Sequence, residues 1–180
     1  MLIYEHFVNK NKKLIDAINK NDFNTIKKIV NKNFNLNEKY FGYTILITAI
    51  INENIDIKII KYLIKLGADI NITDDNNRSP LNWAIYVGNI EIVKLLIKLG
   101  ADINNIDFYG DSLLIIAAIQ QKYDILFLLL SLDINWFIKN KQGYFFLDYL
   151  KYDEIQLIKK LYPENYKKYL KLQKSEKFNL

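Results

Sequence analysis

The 180-residue chain has no cysteine, a single histidine (His6), a single arginine (Arg78), two prolines and six glycines. Without cysteine there are no disulfides, no thiolate zinc sites and no thiol nucleophile. One histidine leaves nothing for a multi-histidine metal cage, and His6 lies outside any pattern that would place it in a catalytic triad. So few prolines and glycines exclude a turn-dense sandwich and a flexible linker protein. Long apolar runs are missing too. The most hydrophobic stretch, Leu113 to Leu132, is broken by Gln120, Gln121, Lys122 and Asp124, too soon for a membrane span. The first ten residues include Glu5 and lack the basic-then-apolar layout of an export signal. Together with the missing cysteines, this points to the cytoplasm.

What is present suits a folded domain: 51% of residues are hydrophobic and 25% are charged, a mixture able to bury a core. Ile, Asn, Lys and Tyr dominate. Their codons are A/T-rich, so this bias reflects a genome more than a task.

The chain repeats itself. Leu63-Ile-Lys-Leu-Gly-Ala-Asp-Ile-Asn71 recurs letter for letter as Leu96 to Asn104, an offset of 33. The same step carries Asp74 to Asp107, Ser79 to Ser112, Leu81 to Leu114, Ala84 to Ala117 and, once more, Gly110 to Gly143. Backward, Gly42-Tyr-Thr-Ile-Leu46 and Ala49 match Asn77 to Leu81 and Ala84 at a shift of 35, the extra residues falling in Asn52 to Asp56. Earlier still, Ala17 and Asp22 to Lys27 align with Ala84 and Asn89 to Lys94, and Asn33-Phe-Asn-Leu-Asn37 stands where later copies read Gly-Ala-Asp-Ile-Asn. A period in this range is the mark of a stacked repeat architecture.

Each unit has one grammar. Thr44, Ser79 or Ser112 can accept a hydrogen bond from the free amides of a helix start, and Pro80 suits the first helical position. A short helix follows, carrying Leu81, Ala84 and Ile85. Gly88-Asn89 breaks it before a second apolar run, Ile90 to Leu99, too long for an ordinary strand. Gly100 supplies the left-handed backbone that ends a helix, and Asp102 to Gly110 reads as a turn-rich, hairpin-like excursion.

Ser79-Pro-Leu-Asn-Trp-Ala84, Gly88 to Leu96 and Gly100-Ala-Asp-Ile-Asn104 closely resemble the ankyrin repeat, and the resemblance runs from about Asn9 to Tyr162. It implies an all-α solenoid of stacked helix-turn-helix units with finger loops over residues 1–163. The units lie near 9–38, 39–73, 74–106, 107–139 and 140–163, with a basic tail or short extra helix over 164–180. The family's usual histidine is replaced by Ile47, Asn82, Ile115 and Asp148, which implies looser contacts between neighbouring loops. The fourth unit reads Asp133-Ile-Asn135 without the preceding Gly-Ala. The fifth has Phe145 in place of a capping hydroxyl, and both of its helices read a residue short. Lysines of the first and last units (Lys20, Lys27, Lys28, Lys151, Lys159, Lys160) suit polar end caps. Asn71 and Asn104 resemble ankyrin asparagines that hydroxylases modify; a turn asparagine bonding its own backbone is the competing reading.

The resemblance also implies a function: binding another protein, without catalysis and without a cofactor or metal, through finger tips and the exposed side of the first helices. By alignment these positions are Tyr40, Phe41 and Tyr43; Asp75, Asn76, Arg78 and Tyr86; Phe108, Tyr109 and Asp111; and Lys141, Gln142 and Tyr144. Seven of the thirteen are aromatic, against 14% aromatic residues overall. Such a row fits binding hot spots, or packing between fingers in place of the missing histidine. The A/T-driven composition resembles that of ankyrin proteins from giant DNA viruses, intracellular bacteria or similar organisms, which often address host proteins; this concerns origin, and a host protein is one candidate for a partner whose identity stays open. A monomer is expected.

Charge weighs against nucleic acid. Residues 1–33 carry seven lysines and three acids, residues 151–180 eight and four, and the middle ten basic and thirteen acidic residues. The expected contact region is therefore acidic and has one arginine, whereas phosphate and base contacts want basic residues and arginine forks. A weak charge-driven nucleic-acid binder acting through basic ends, and a structural subunit of a larger assembly, are the alternatives. Catalysis has little to stand on: the carboxylate pairs Asp74-Asp75 and Asp153-Glu154 are expected on a solvated finger and in a turn, with nothing to desolvate them.

Overall fold

The computed structural model describes residues 2–30 and 34–177, with side chains over 11–30 and 34–173. The His6 side chain, Asn33 and the last residues of the tail lie outside the described residues. Among the described residues, ten α-helices and one 3-10 turn make up the regular structure, in the order α1 (Leu2–Asn19), α2 (Phe23–Ile29), α3 (Ile45–Ile51), α4 (Ile57–Lys65), α5 (Pro80–Val87), α6 (Ile90–Lys98), α7 (Leu113–Ile119), α8 (Tyr123–Leu130), the 3-10 turn Phe146–Tyr149, α9 (Tyr152–Leu161) and α10 (Pro163–Lys177). Among the described residues there is no strand, only the isolated bridges Tyr40 to Tyr43 and Ile106 to Ser112.

The first helices start where a side-chain oxygen can take up a free amide. Thr44, Ser79 and Ser112 accept from the N–H groups of Ile47, Asn82 and Ile115 at 3.3, 3.3 and 3.4 Å. The second helices use Asp56 and Asn89 in the same way, at 2.9 and 3.1 Å. These helices are only seven to nine residues long, too short to persist alone. Packing has to hold them. Leu46, Leu81 and Leu114 are fully buried at equivalent places, and Ala49, Ala84 and Ala117 let the first helices approach closely. α1, α3, α5, α7 and the 3-10 turn form one row in which each packs on the next, and α6 packs on α8 behind it.

Gly100 shows how a unit ends. Its φ is +87°, and Ala101 N–H reaches back to Leu96 O at 3.0 Å while Gly100 N–H bonds Ile97 O at 3.0 Å. That double closure satisfies the last carbonyls of α6. The fourth unit, lacking such a glycine, ends α8 instead at Ser131, whose hydroxyl donates to Leu128 O at 2.6 Å.

Units are also joined across their loops. Asn37 Oδ1 accepts from Asp69 N–H at 2.8 Å, and Asn71 Oδ1 from Asp102 N–H at 2.9 Å. Asn71 therefore bonds the backbone of the following unit and not its own, which corrects the self-bonding expectation for that residue.

The last unit also departs from expectation. Its first helix shrinks to the four-residue 3-10 turn, while α9 has ten residues; one element has lost about a turn and the other is not short. Phe145 is buried and cannot cap, so Asp148 takes over from the other side, Oδ2 accepting from Phe145 N–H at 2.8 Å. Its Oδ1 accepts from Tyr169 Oη at 2.8 Å and from Gln173 Nε2 at 3.3 Å. α10 is thereby pinned over the end of the stack, with Tyr169 edge-on to Phe145 at 5.5 Å. Burial and the bond to Asp148 hold the Tyr169 phenol well above its ordinary pKa.

Candidate binding surface

Between successive helix pairs the chain extends a finger. Each finger is a short hairpin closed by a backbone bond: Tyr40 N–H to Tyr43 O (2.7 Å), Asp74 to Arg78 (2.9 Å), Asp107 to Asp111 (3.1 Å) and Asn140 to Tyr144 (3.0 Å). In the last three fingers the first residue folds the loop onto itself. Asp74 Oδ1 accepts from the amides of Asn76 and Arg78, Asp107 Oδ1 from those of Tyr109 and Asp111, and Asn140 Oδ1 from those of Gln142 and Tyr144, all between 2.8 and 3.1 Å. A short side-chain acceptor is needed at that place, hence the Asp, Asp, Asn series at a spacing of 33. Numbered by unit these are fingers two to five, and the second, Tyr40–Tyr43, is one residue shorter. It turns through Phe41 and Gly42, with φ of +51° and +84°, the pattern of a two-residue hairpin turn. An aromatic residue held left-handed costs about 1–3 kcal/mol.

Neighbouring fingers touch through backbone. Phe108 N–H donates to Asn76 O at 2.8 Å, and Lys141 N–H to Tyr109 O at 3.0 Å. Asn77 Nδ2 adds a bond to Ile106 O at 2.6 Å, and Lys39 Nζ pairs with Asp75 Oδ1 at 3.2 Å. Two neighbouring finger pairs are thus bonded main chain to main chain without the family's histidine. In the third unit Asn82, at the histidine's place, turns inward to accept from Ser79 N–H at 3.0 Å.

The expected contact residues divide by exposure. Phe41, Phe108, Tyr109 and Tyr144 are exposed by 85%, 58%, 53% and 50%. Asp75, Asn76, Lys141 and Gln142 are exposed beside them. Tyr40, Tyr43, Arg78 and Tyr86 are half-buried. Asp111 departs from its expected place on a tip: it is only 7% exposed and lies beneath the fingers. Asp74, expected on a solvated finger, is likewise buried, its second oxygen accepting from Trp83 Nε1 at 3.0 Å. Glu154 is half-buried, and its Oε2 is buried without a hydrogen bond.

The half-buried residues form a connected layer under the tips. Tyr43 meets Trp83 edge-on at 5.8 Å, and Trp83 lies 5.6 Å from Tyr86. Arg78 sits among rings, its guanidinium 5.3 Å from Trp83, 5.3 Å from Tyr86 and 6.0 Å from Tyr109. Arg78 Nε is 3.9 Å from Asp107 Oδ2, and both atoms are buried without a hydrogen bond. In the next seam, Asn140 Nδ2 donates to Asp111 Oδ1 at 2.8 Å and to Tyr149 Oη at 2.7 Å.

Burial pushes the Asp111 carboxyl above its ordinary range, opposed by the Asn140 bond and by Arg78 and reinforced by Asp107. Burial also raises the Tyr86 phenol. A raised carboxyl binds its proton more tightly folded than unfolded, so its favourable share of stability is present in acid and lost as pH rises through the folded pKa. Asp111→Asn keeps the acceptor for Asn140 and removes the charge. The variant is expected to melt above the parent near neutral pH, with the gap closing as the buffer is taken toward about pH 4. Thermal melts across that range check it; a variant that melts lower at neutral pH contradicts it.

Trp83, Ile119, Asn140 and Tyr149 belong to this surface and were not among the expected contacts. Trp83 and Tyr86 are three apart on one helix and share a face, and Asn140 stands in register with Asp74 and Asp107. Those two signals could have found Trp83 and Asn140, and the step of 33 from Tyr86 leads to Ile119. Tyr149 could not be found, because the 3-10 turn that places it breaks the helical spacing.

Among the described residues, no helix is long and apolar enough to cross a membrane. A family model for ankyrin repeats, three copies long, matches residues 14–107 and 59–140. The two matches together span most of the chain and coincide with the stacked helix pairs α1 to α8 and the fingers between them. The chain belongs to the ankyrin-repeat family.

Proposed function

We propose that this chain is a non-catalytic adaptor that recognises a partner protein through its finger tips and the adjoining ends of the first helices, acting as a monomer in the cytoplasm. Ankyrin repeats are in general protein–protein interaction modules, and one observation carries the finer reading. Of the five large aromatic side chains exposed among the described residues, four (Phe41, Phe108, Tyr109, Tyr144) stand at finger tips. Exposed aromatic groups cost free energy in water and return it when a partner covers them. The strained turn under Phe41 adds support, since a fold holds an unfavourable backbone where presentation of a side chain matters.

Tyr40 and Phe41, and Phe108 and Tyr109, pack edge to face at 4.5 and 5.6 Å. These two fingers therefore offer preformed aromatic pairs, which lowers the ordering cost of binding. Replacing Phe108 and Tyr109 together by alanine is expected to weaken a partner by more than about 2 kcal/mol, roughly thirtyfold, while the melting temperature stays near the parent's. Calorimetric titration and thermal melts on the same samples check it. Unchanged affinity with a large fall in melting temperature would show that the pair serves packing only.

A further inference from the structure

We propose that the hollow between the fourth and fifth fingers takes an arginine side chain of the partner protein. The inference rests on the protein-binding reading and names the chemistry the partner presents at one place. The hollow measures about 250 Å3 and is lined by Tyr109, Asp111, Ile119, Asn140, Lys141, Gln142 and Tyr149.

The repeat itself shows what belongs there. One unit earlier in register, the place of Asp111 is held by Arg78 and the place of Asn140 by Asp107. In that seam a guanidinium lies among three rings and faces a carboxylate at 3.9 Å. In the seam between fingers four and five, the cation is missing and a carboxylate stands in its place. Asp111 is only 7% exposed as a residue, and its side chain makes one hydrogen bond, Oδ1 accepting from Asn140 Nδ2 at 2.8 Å. Asn140 is itself held by Tyr149 Oη at 2.7 Å, which fixes the orientation of the carboxylate.

Charge in the neighbourhood points the same way. Asp107 and Asp111 are both buried, and the nearby guanidinium of Arg78 faces Asp107 at 3.9 Å, while Asp111 has no ion pair among the described residues. Lys141 does not supply one, since its Nζ lies over the Phe108 ring at 4.1 Å. A buried carboxylate gains most from a paired, hydrogen-bonding cation. Tyr109 and Tyr149 both line the hollow, and aromatic rings favour a planar guanidinium over a compact ammonium.

The test uses the full chain, labelled with 15N, and acetyl-arginine N-methylamide as the probe. Acetyl-citrulline N-methylamide serves as the neutral isostere and acetyl-lysine N-methylamide as the ammonium. The arginine probe is expected to shift the amides of Tyr109, Asp111, Ile119 and Gln142 and to saturate in the millimolar range, with citrulline at least about tenfold weaker and lysine between them. Asp111→Asn, which keeps the acceptor for Asn140, and Gln142→Lys, which sets a positive charge on an exposed rim, should each weaken the arginine probe at least about fivefold. An equal response to citrulline, an equal response in both variants, or no shift of these amides at saturating probe overturns the proposal. If a partner protein loses affinity when Phe108 and Tyr109 are removed yet is indifferent to Asp111→Asn, this pocket assignment falls while the finger-tip reading stands. If the arginine probe binds as described but no partner depends on the tips, the outcomes are reversed.

Discussion

Leu114→Ala is expected to lower the unfolding free energy by about 3 kcal/mol, within the usual range for a buried leucine truncated in a tight core. Leu114 is fully buried in α7, the counterpart of Leu46 and Leu81. α7 packs against α5 on one side, the 3-10 turn on the other and α8 behind, so the cavity opens at a junction that three elements share. In a stack, stability is close to a sum of unit and nearest-neighbour terms, and a weakened junction uncouples the last unit from the rest. The two tryptophans separate the two sides. Trp83 reports α5 and Trp136, buried against Phe146 at 5.5 Å, reports the end of the stack. Denaturant titration of Leu114→Ala, each tryptophan followed alone by replacing the other with phenylalanine, should show the Trp136 signal lost first. The exposed Leu157 is the control, and its alanine variant should stay within about 0.5 kcal/mol of the parent. A Leu114→Ala loss as small as the control's would contradict the stacked core.

Gly110→Ala is expected to cost about 2 kcal/mol or more, and its excess over Gly143→Ala isolates the contact between fingers. Both glycines hold the same place in their fingers, with φ of +82° and +86°. Alanine at either pays the left-handed penalty of about 1–2 kcal/mol. At Gly143 a methyl group would find nothing within 4 Å. At Gly110 it would fall 2.9 Å from Lys141 N and 3.1 Å from Asn140 Cα, both main-chain atoms held by finger hydrogen bonds. Neither can swing aside as a flexible side chain would. The fingers must part, and the bond from Lys141 N–H to Tyr109 O must lengthen. Chemical denaturation of both variants checks the ranking. Equal losses would mean that the two fingers are not in close contact.

How much of this was legible in the sequence depends on where each partner sits. The identical string at Leu63 to Asn71 and Leu96 to Asn104 set the unit length, and with it the helix pairs, the capping Thr and Ser, and the buried leucine and alanine positions. All of these are local or strictly periodic features. Bonds between units are neither. Asn71 reaching Asp102, Arg78 facing Asp107 and Asn140 holding Asp111 join residues from different units, at separations set by how tightly one unit lies on the next. Spacing gives each residue its register but not its neighbour across the seam. The same gap hid the burial of Asp111, which reads as a polar tip residue until Asn140 is laid over it. The end of the stack was illegible for another reason. With Phe145 at the capping position no hydroxyl marks the helix start, and Asp148, in the histidine's place, closes a 3-10 turn that no periodic pattern announces.

The aromatic tips themselves were visible in the sequence as a compositional excess; the structure adds which of them face water and which, like Tyr43 and Tyr86, are half-buried against Trp83.

The central claim is that recognition happens on the finger row. Hydrogen exchange of the chain, free and saturated with a captured partner protein, tests it most directly. Slowed exchange is expected in the amides of residues 40–43, 75–78, 108–111 and 141–144, with α4, α6 and α8 unchanged. Slowing confined to α4, α6 and α8, with the four fingers exchanging as in the free chain, would contradict it.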